Sequence, residues 1–371
     1  MALAEATTIA IAWRIPWFKR PSKSRGDPEF PAGGGGSPEE FQTRFNDALR
    51  RFRALPQHAG RGDPIYSMPW YLMLGGGQSG KSTVLAASGL FSPLTPVKEG
   101  GTLNCDWWVS NRTLVLDTAG RFAFPADPAR DRAEWYRLLS LIRHRRGREP
   151  LNGVIVTIAA DELAVGTDEK LQADGAKIRE RLEEAIQQLG RNFPLYLLLT
   201  KCDLIEGFSG FLSVLPEAVA NEAVGYVDDA RAADGTETDL TSVQTGLHSI
   251  YERLHFFRMS MLNGKLAEPL VRPVYCFPEE FRALEEPFAR FAEPILSPDV
   301  RYHTPFFRGV FLTSARQAGV PFSILRRQLG VATAPAALEG KASRAYFVHD
   351  LFERILPRDR ALGTAVPKTA A

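Results

Sequence analysis

Residues 75–82 read Gly75-Gly76-Gly77-Gln78-Ser79-Gly80-Lys81-Ser82, a gapless fit to GxxxxGK[ST]. The apolar run Trp70-Tyr71-Leu72-Met73-Leu74 leads into it as a buried strand, and Lys81 to Leu90 reads as a helix. A buried strand that turns through glycines straight into a helix belongs to α/β folds, in which helices cover the strands. The spacing has a chemical reason. Glycines let the backbone curl until successive N–H groups point inward at phosphate oxygens, and the helix start adds partial positive charge. Lys81 would reach the terminal phosphates and act in catalysis, and the Ser82 hydroxyl would ligate Mg²⁺. Thr83 completes the expected phosphate-binding set. A glycine-rich turn that holds no ligand is the plain alternative.

The alternation of strands and helices continues. Asp106–Val109 and Thr113–Leu116 flank Asn111-Arg112 as a hairpin, and residues 131–145 form a helix. Gly153–Ile158 and Leu195–Leu199 are apolar strands on either side of a long helix over 171–189. This pattern predicts a mostly parallel sheet flanked by helices, of the P-loop NTPase, small-GTPase-like kind. An amphipathic helix over 38–55 precedes it, so 38–206 is the expected core. Residues 207–300 read as a mainly helical insertion, with a short strand at Val274–Phe277. Residues 301–358 hold a closing strand at Gly309–Leu312 and a helix over 341–356, and 359–371 reads as a disordered tail.

The N-terminal 1–37 reads as a tail and linker. Met1–Phe18 is mostly apolar and is followed by Lys19, Arg20, Lys23 and Arg25, the pattern of a membrane helix ending at its cytoplasmic flank. The 45 Lys+Arg nearly balance the 43 Asp+Glu, which argues against nucleic acid as the main partner. Cys105, Cys202 and Cys276 lack CxxC spacing, so neither a zinc site nor a disulfide framework is expected, and the compartment is a reducing one. The basic run Arg143–Arg148 reads as a solvated helix end, with lipid or RNA contact as the alternative.

Three further elements extend the phosphate reading. Asp117-Thr118-Ala119-Gly120 follows the second hairpin strand, where Asp117 can hold the metal and Gly120 can present its N–H to a γ-phosphate. Thr200-Lys201-Cys202-Asp203 follows an apolar strand and matches [NT]KxD, whose aspartate accepts from guanine N1–H and N2–H₂. A metal-reaching threonine is expected between the glycine-rich loop and Asp117: Thr102, preceded by Gly100-Gly101, is preferred to Thr95. Arg121 stands where many GTPases place a water-orienting Gln. It predicts slow or partner-dependent hydrolysis, or an arginine that neutralises transition-state charge. A fifth element is left open between Thr313-Ser314-Ala315 and Phe277-Pro278. The expected ligand is Mg²⁺ with GTP or GDP, guanine being favoured over ATP or ADP.

With these residues in place, the chain resembles the cytoplasmic domain of the TssM/IcmF family, inner-membrane core proteins of bacterial type VI secretion systems. The likeness rests on Pro69-Trp70-Tyr71-Leu72, Ser88-Gly89-Leu90, Gly101-Thr102-Leu103-Asn104-Cys105-Asp106-Trp107-Trp108, Asp117-Thr118-Ala119-Gly120-Arg121-Phe122, Thr200-Lys201-Cys202-Asp203, Phe277-Pro278 and Arg308-Gly309-Val310-Phe311-Leu312-Thr313-Ser314. It spans about 65–355. The resemblance implies a place on the cytoplasmic face of the inner membrane. It also implies the partners TssL, baseplate components and, through a periplasmic part absent from this chain, TssJ. A free regulatory GTPase and a nucleotide-independent scaffold are the competing readings.

Overall fold

The computed structural model describes residues 38–58, 62–95, 101–216, 222–229, 240–297, 305–315, 320–331 and 346–366. The expectations for 1–37 lie outside the described residues. Helix α1 (Pro38–Arg53) leads to strand β1 (Trp70–Gly75), then α2 (Lys81–Ala87). The short β2 (Ser92–Pro93) and the hairpin β3 (Cys105–Val109) and β4 (Leu114–Thr118) follow. Next come α3 (Gly120–Ala123), α4 (Pro128–Arg145), β5 (Gly153–Ala159), α5 (Ala160–Val165) and α6 (Asp168–Leu189). The two-residue β6 (Arg191–Asn192) precedes β7 (Pro194–Thr200) and α7 (Phe208–Val214).

The remainder holds β8 (Gly225–Val227), α8 (Leu240–Leu262), α9 (Glu268–Arg282), α10 (Glu285–Leu296), β9 (Phe306–Leu312), α11 (Ile324–Gln328) and β10 (Thr364–Ala365). The main sheet runs β2-β3-β4-β1-β5-β7-β9-β8. Strands β4, β1, β5, β7 and β9 are mutually parallel, and the flanking strands pair antiparallel.

Central strands buried on both sides need apolar residues on both faces, and β1 is buried at every position. Trp70, Leu72 and Leu74 join Trp107, Leu116, Val156 and Leu197 in one core, shared with α1, α4, α6 and α10. Tyr71 and Met73 face the other way and meet Val84 and Leu85 of α2, with Leu351, Phe352 and Leu356 near the C-terminus. Each such side chain contributes about 1.5–3 kcal/mol when fully buried. Helix α4 starts at Asp127, whose carboxylate accepts from Arg130 N at 3.2 Å, and Pro128 suits the first turn. Helix α6 stops at Gly190, which takes the left-handed conformation at φ +66°.

The strand order decides where a ligand could bind. The chain builds β4 on one side of β1 and then crosses to build β5 on the other. The crevice at the carboxyl end of β1, where the order reverses, is the usual ligand position in open α/β sheets. The Gly75–Ser82 loop starts there.

Three expectations need correction. Val274–Phe277 is not a strand but lies inside α9, despite Pro273 and Pro278. Val274, Phe277 and Phe281 are buried at helical spacing, and packing outweighs the strand preference of the run. The 359–366 segment is ordered: β10 pairs antiparallel with β6, and buried Asp359 binds Arg308 at 2.6 Å. Residues 367–371 lie outside the described residues. Arg146 is buried, donating to Ile65 O at 3.0 Å, Met68 O at 3.1 Å and Asn152 Oδ1 at 2.9 Å, so the basic run is not wholly a solvated end. Apart from these, the helices α7 to α10 share one apolar core with the sheet, and β8 extends its edge.

Candidate functional site

The glycine-rich loop is held by close backbone approach. A Cβ on Gly75 would stand 2.1 Å from Thr157 Oγ1 and 2.6 Å from Thr157 O of β5, so only glycine passes. Gln78 (φ +62°) and Gly80 (φ +83°) adopt the left-handed conformation that curls the loop. Ser79 is pinned twice, by its hydroxyl at 3.0 Å from Thr157 Oγ1 and by its carbonyl, which accepts from Thr200 Oγ1 at 2.6 Å. Thr200, expected at the nucleotide, therefore braces the loop.

Lys81 is 6% exposed, and its Nζ donates to Gly75 O at 2.8 Å and Gly76 O at 2.6 Å. Burial lowers its pKa, opposed by the charges of Asp117 and Glu162. Ser82 and Thr102 converge on one carboxylate oxygen. Ser82 Oγ donates to Asp117 Oδ2 at 2.5 Å and Thr102 Oγ1 donates to the same oxygen at 3.2 Å, with 3.4 Å between the two hydroxyls. The other oxygen, Asp117 Oδ1, is buried without a hydrogen-bond partner. Burial pushes the Asp117 carboxyl up to about 6, against the pull of Lys81 and of the Ser82 and Thr102 bonds.

This donor set of one carboxylate and two hydroxyls is hard and oxygen-only, which fits Mg²⁺ with water and phosphate supplying the other ligands. Among the described residues no cluster of three His, Cys, Asp or Glu offers an all-protein metal cage. Gly120 lies directly on the loop: a Cβ there would be 2.2 Å from Gly77 N. Thr95 is elsewhere; its hydroxyl accepts from Trp107 N at 3.1 Å and lies 3.3 Å from Asp106 Oδ1, bracing the hairpin.

The residues expected to read a base lie further along the sheet, at the ends of β7 and β9. Lys201 sits at φ +54° and pairs with Asp161 Oδ2 at 2.9 Å. Asp203 accepts from Ser314 Oγ at 2.7 Å, and burial raises its pKa. Thr313-Ser314-Ala315 thus adjoins Asp203, whereas Phe277 packs on Phe208 (centroids 5.4 Å apart) inside the helical region. Phe277-Pro278 is not a strand end. Arg121 spends its guanidinium on Leu103 O (2.9 and 3.2 Å), Asn104 Oδ1, Asp131 (2.5 Å) and Glu134 (2.5 Å). None of these bonds reaches the glycine-rich loop.

Sequence reasoning missed Thr157, Asp161 and Glu162, and left Ser314 as one of two alternatives. Asp161 and Glu162 follow closely after β5, so the rule that parallel strands present their carboxyl ends on one edge would have found them.

The residues 128–371 match the model of the IcmF-related N-terminal domain. The chain is also 32% identical over 349 residues to the type VI secretion system component TssM1 of Pseudomonas aeruginosa. The chain belongs to the TssM/IcmF family. The match to TssM1 covers 89% of this chain and 31% of that protein, so the chain spans about a third of its relative's length. Among solved structures, SsGBP in complex with GDP is 12% identical, with coverage of 44% and 42% and a TM-score of 0.23. The S. thermophilus NFeoB mutant bound to GDP is also 12% identical, with coverage of 61% and 92% and a TM-score of 0.24. At such scores these two likenesses carry no argument about a TssM/IcmF chain. Among the described residues no helix is long and apolar enough to cross a membrane.

Proposed function

We propose that this TssM/IcmF chain is a P-loop nucleotide-binding domain that takes a guanine nucleotide with Mg²⁺ and couples its occupancy to assembly of a type VI secretion complex. One observation carries the reading: three segments, holding Lys81 and Ser82, Thr102, and Asp117 with Gly120, meet at the switch point of the sheet. Lys81 Nζ, now on two loop carbonyls, would turn to the phosphates, and the loop amides of 75–83 would hold their oxygens. Ser82, Thr102 and Asp117 would hold Mg²⁺, which supplies charge neutralisation at the phosphates.

Asp203 would accept from guanine N1–H and N2–H₂, donors that adenine lacks, while the Lys201 stem covers the base. Arg121 is committed to carboxylates, so intrinsic hydrolysis is slow. The proposed partners are TssL, baseplate components and, through a periplasmic part outside this chain, TssJ. The proposed place is the cytoplasmic face of the inner membrane.

Titration calorimetry with GTP, GDP, ATP and ADP in Mg²⁺ tests this. Guanine nucleotides should bind wild type, and Lys81→Ala should abolish the heat. Equal heats for Lys81→Ala, or none for any nucleotide, would overturn the reading.

A further inference from the structure

Arg121 draws together two segments distant in sequence. On one side stand Asp131 and Glu134 of α4. Asp131 is itself fixed, because its second carboxylate oxygen accepts from Ala126 N and Asp127 N, both at 3.0 Å. On the other side stand Leu103 O and Asn104 Oδ1. Leu103 directly follows Thr102, whose hydroxyl rests on Asp117. Gly101, before Thr102, has φ +96°, a conformation only glycine adopts readily. Charge-assisted hydrogen bonds in a fork geometry fix direction as well as distance.

We infer that Arg121 is a positioning residue: it clamps the 102–104 segment to α4 and thereby holds the Thr102 hydroxyl on Asp117 before any nucleotide arrives. The oxygen set for Mg²⁺ is preassembled, and the position of α4 is transmitted to it. The consequence for Mg²⁺ rests on the nucleotide reading above, whereas the clamp itself does not.

Methyl NMR on the ligand-free full chain, observing the Thr102 side chain, reads the clamp directly. Arg121 donates to the Leu103 carbonyl, so its loss frees the segment that carries Thr102. In Arg121→Gln the Thr102 methyl should shift and lose order. Ala119 N still donates to Asn104 O at 2.9 Å, so slow exchange of the Ala119 amide should survive. Arg121→Lys, which keeps the charge but not the fork, should fall between. Glu134→Gln, the milder change, should move the same methyl without unfolding the chain. An unchanged Thr102 methyl in all three variants would overturn the inference.

A second arm compares GDP affinity in Mg²⁺ and in chelator. Arg121→Gln should lose about tenfold of the Mg²⁺-dependent gain and none of the metal-free affinity. Equal losses with and without Mg²⁺ would also overturn it, because they would mean direct contact or general damage. If wild type binds no nucleotide, the nucleotide reading fails alone and the Thr102 methyl arm still decides the clamp.

Discussion

Asp117→Asn should stabilise the ligand-free protein at neutral pH. Asp117 is fully buried, and its carboxyl is pushed from the ordinary 3.8 to about 6, first by burial and in spite of Lys81 nearby. Each pH unit of such displacement is worth about 1.36 kcal/mol. Ionised Asp117 therefore costs the fold about 3 kcal/mol above pH ~6. The sign follows from proton binding. The folded state holds this proton more tightly than the unfolded chain, so stability from this site is fully present below pH ~4 and is lost as pH rises through ~6. Asparagine removes the charge and keeps an acceptor for Ser82 and Thr102. Its amide nitrogen replaces the unpartnered Oδ1 and gains no acceptor there, which trims the benefit to about 1–2 kcal/mol. Urea unfolding in chelator measures it. At pH 7.5 the variant should exceed wild type by that amount at unchanged m-value, and at pH 4.5 the advantage should disappear. A variant equally destabilised at both pH values would refute the electrostatic argument. The same substitution should remove Mg²⁺-dependent nucleotide affinity, so this site would trade stability for function.

The remaining predictions concern packing. Gly120→Ala places a Cβ 2.2 Å from Gly77 N and 2.5 Å from Gly77 Cα, both backbone, so the two segments must part. Nucleotide affinity by calorimetry should fall at least about tenfold, with about 1–3 kcal/mol lost from stability in urea. Asp359→Ala leaves Arg308 buried without the carboxylate it meets at 2.6 Å, and denaturant unfolding should show a loss of about 3–5 kcal/mol.

Much of the fold was legible because central parallel strands are apolar throughout. Trp70–Leu74, Gly153–Ile158 and Leu195–Leu199 stand out by composition alone, and each lies within a strand. The Gly75–Ser82 loop was legible because its spacing answers to local backbone geometry. What escaped depends on contacts distant in sequence. Val274–Phe277 has strand-forming residues, yet its burial against α7 comes from a partner that periodicity over four residues cannot name. Asp359 looks like a tail residue until Arg308, 51 positions away, is beside it. Arg121 was read by its place next to Gly120, but its role is set by Asp131 and Glu134 on a following helix. Thr313-Ser314-Ala315 and Phe277-Pro278 stayed open alternatives until β9 lay beside β7 and brought Ser314 to Asp203.

On the proposed function, one nucleotide spans the 75–83 loop and the 200–203 turn. Hydrogen exchange on the full chain with and without saturating GDP and Mg²⁺ decides whether it does. Simultaneous protection of both segments, lost in Lys81→Ala, is the predicted result. No protection in either, or protection confined to some other surface, would contradict it.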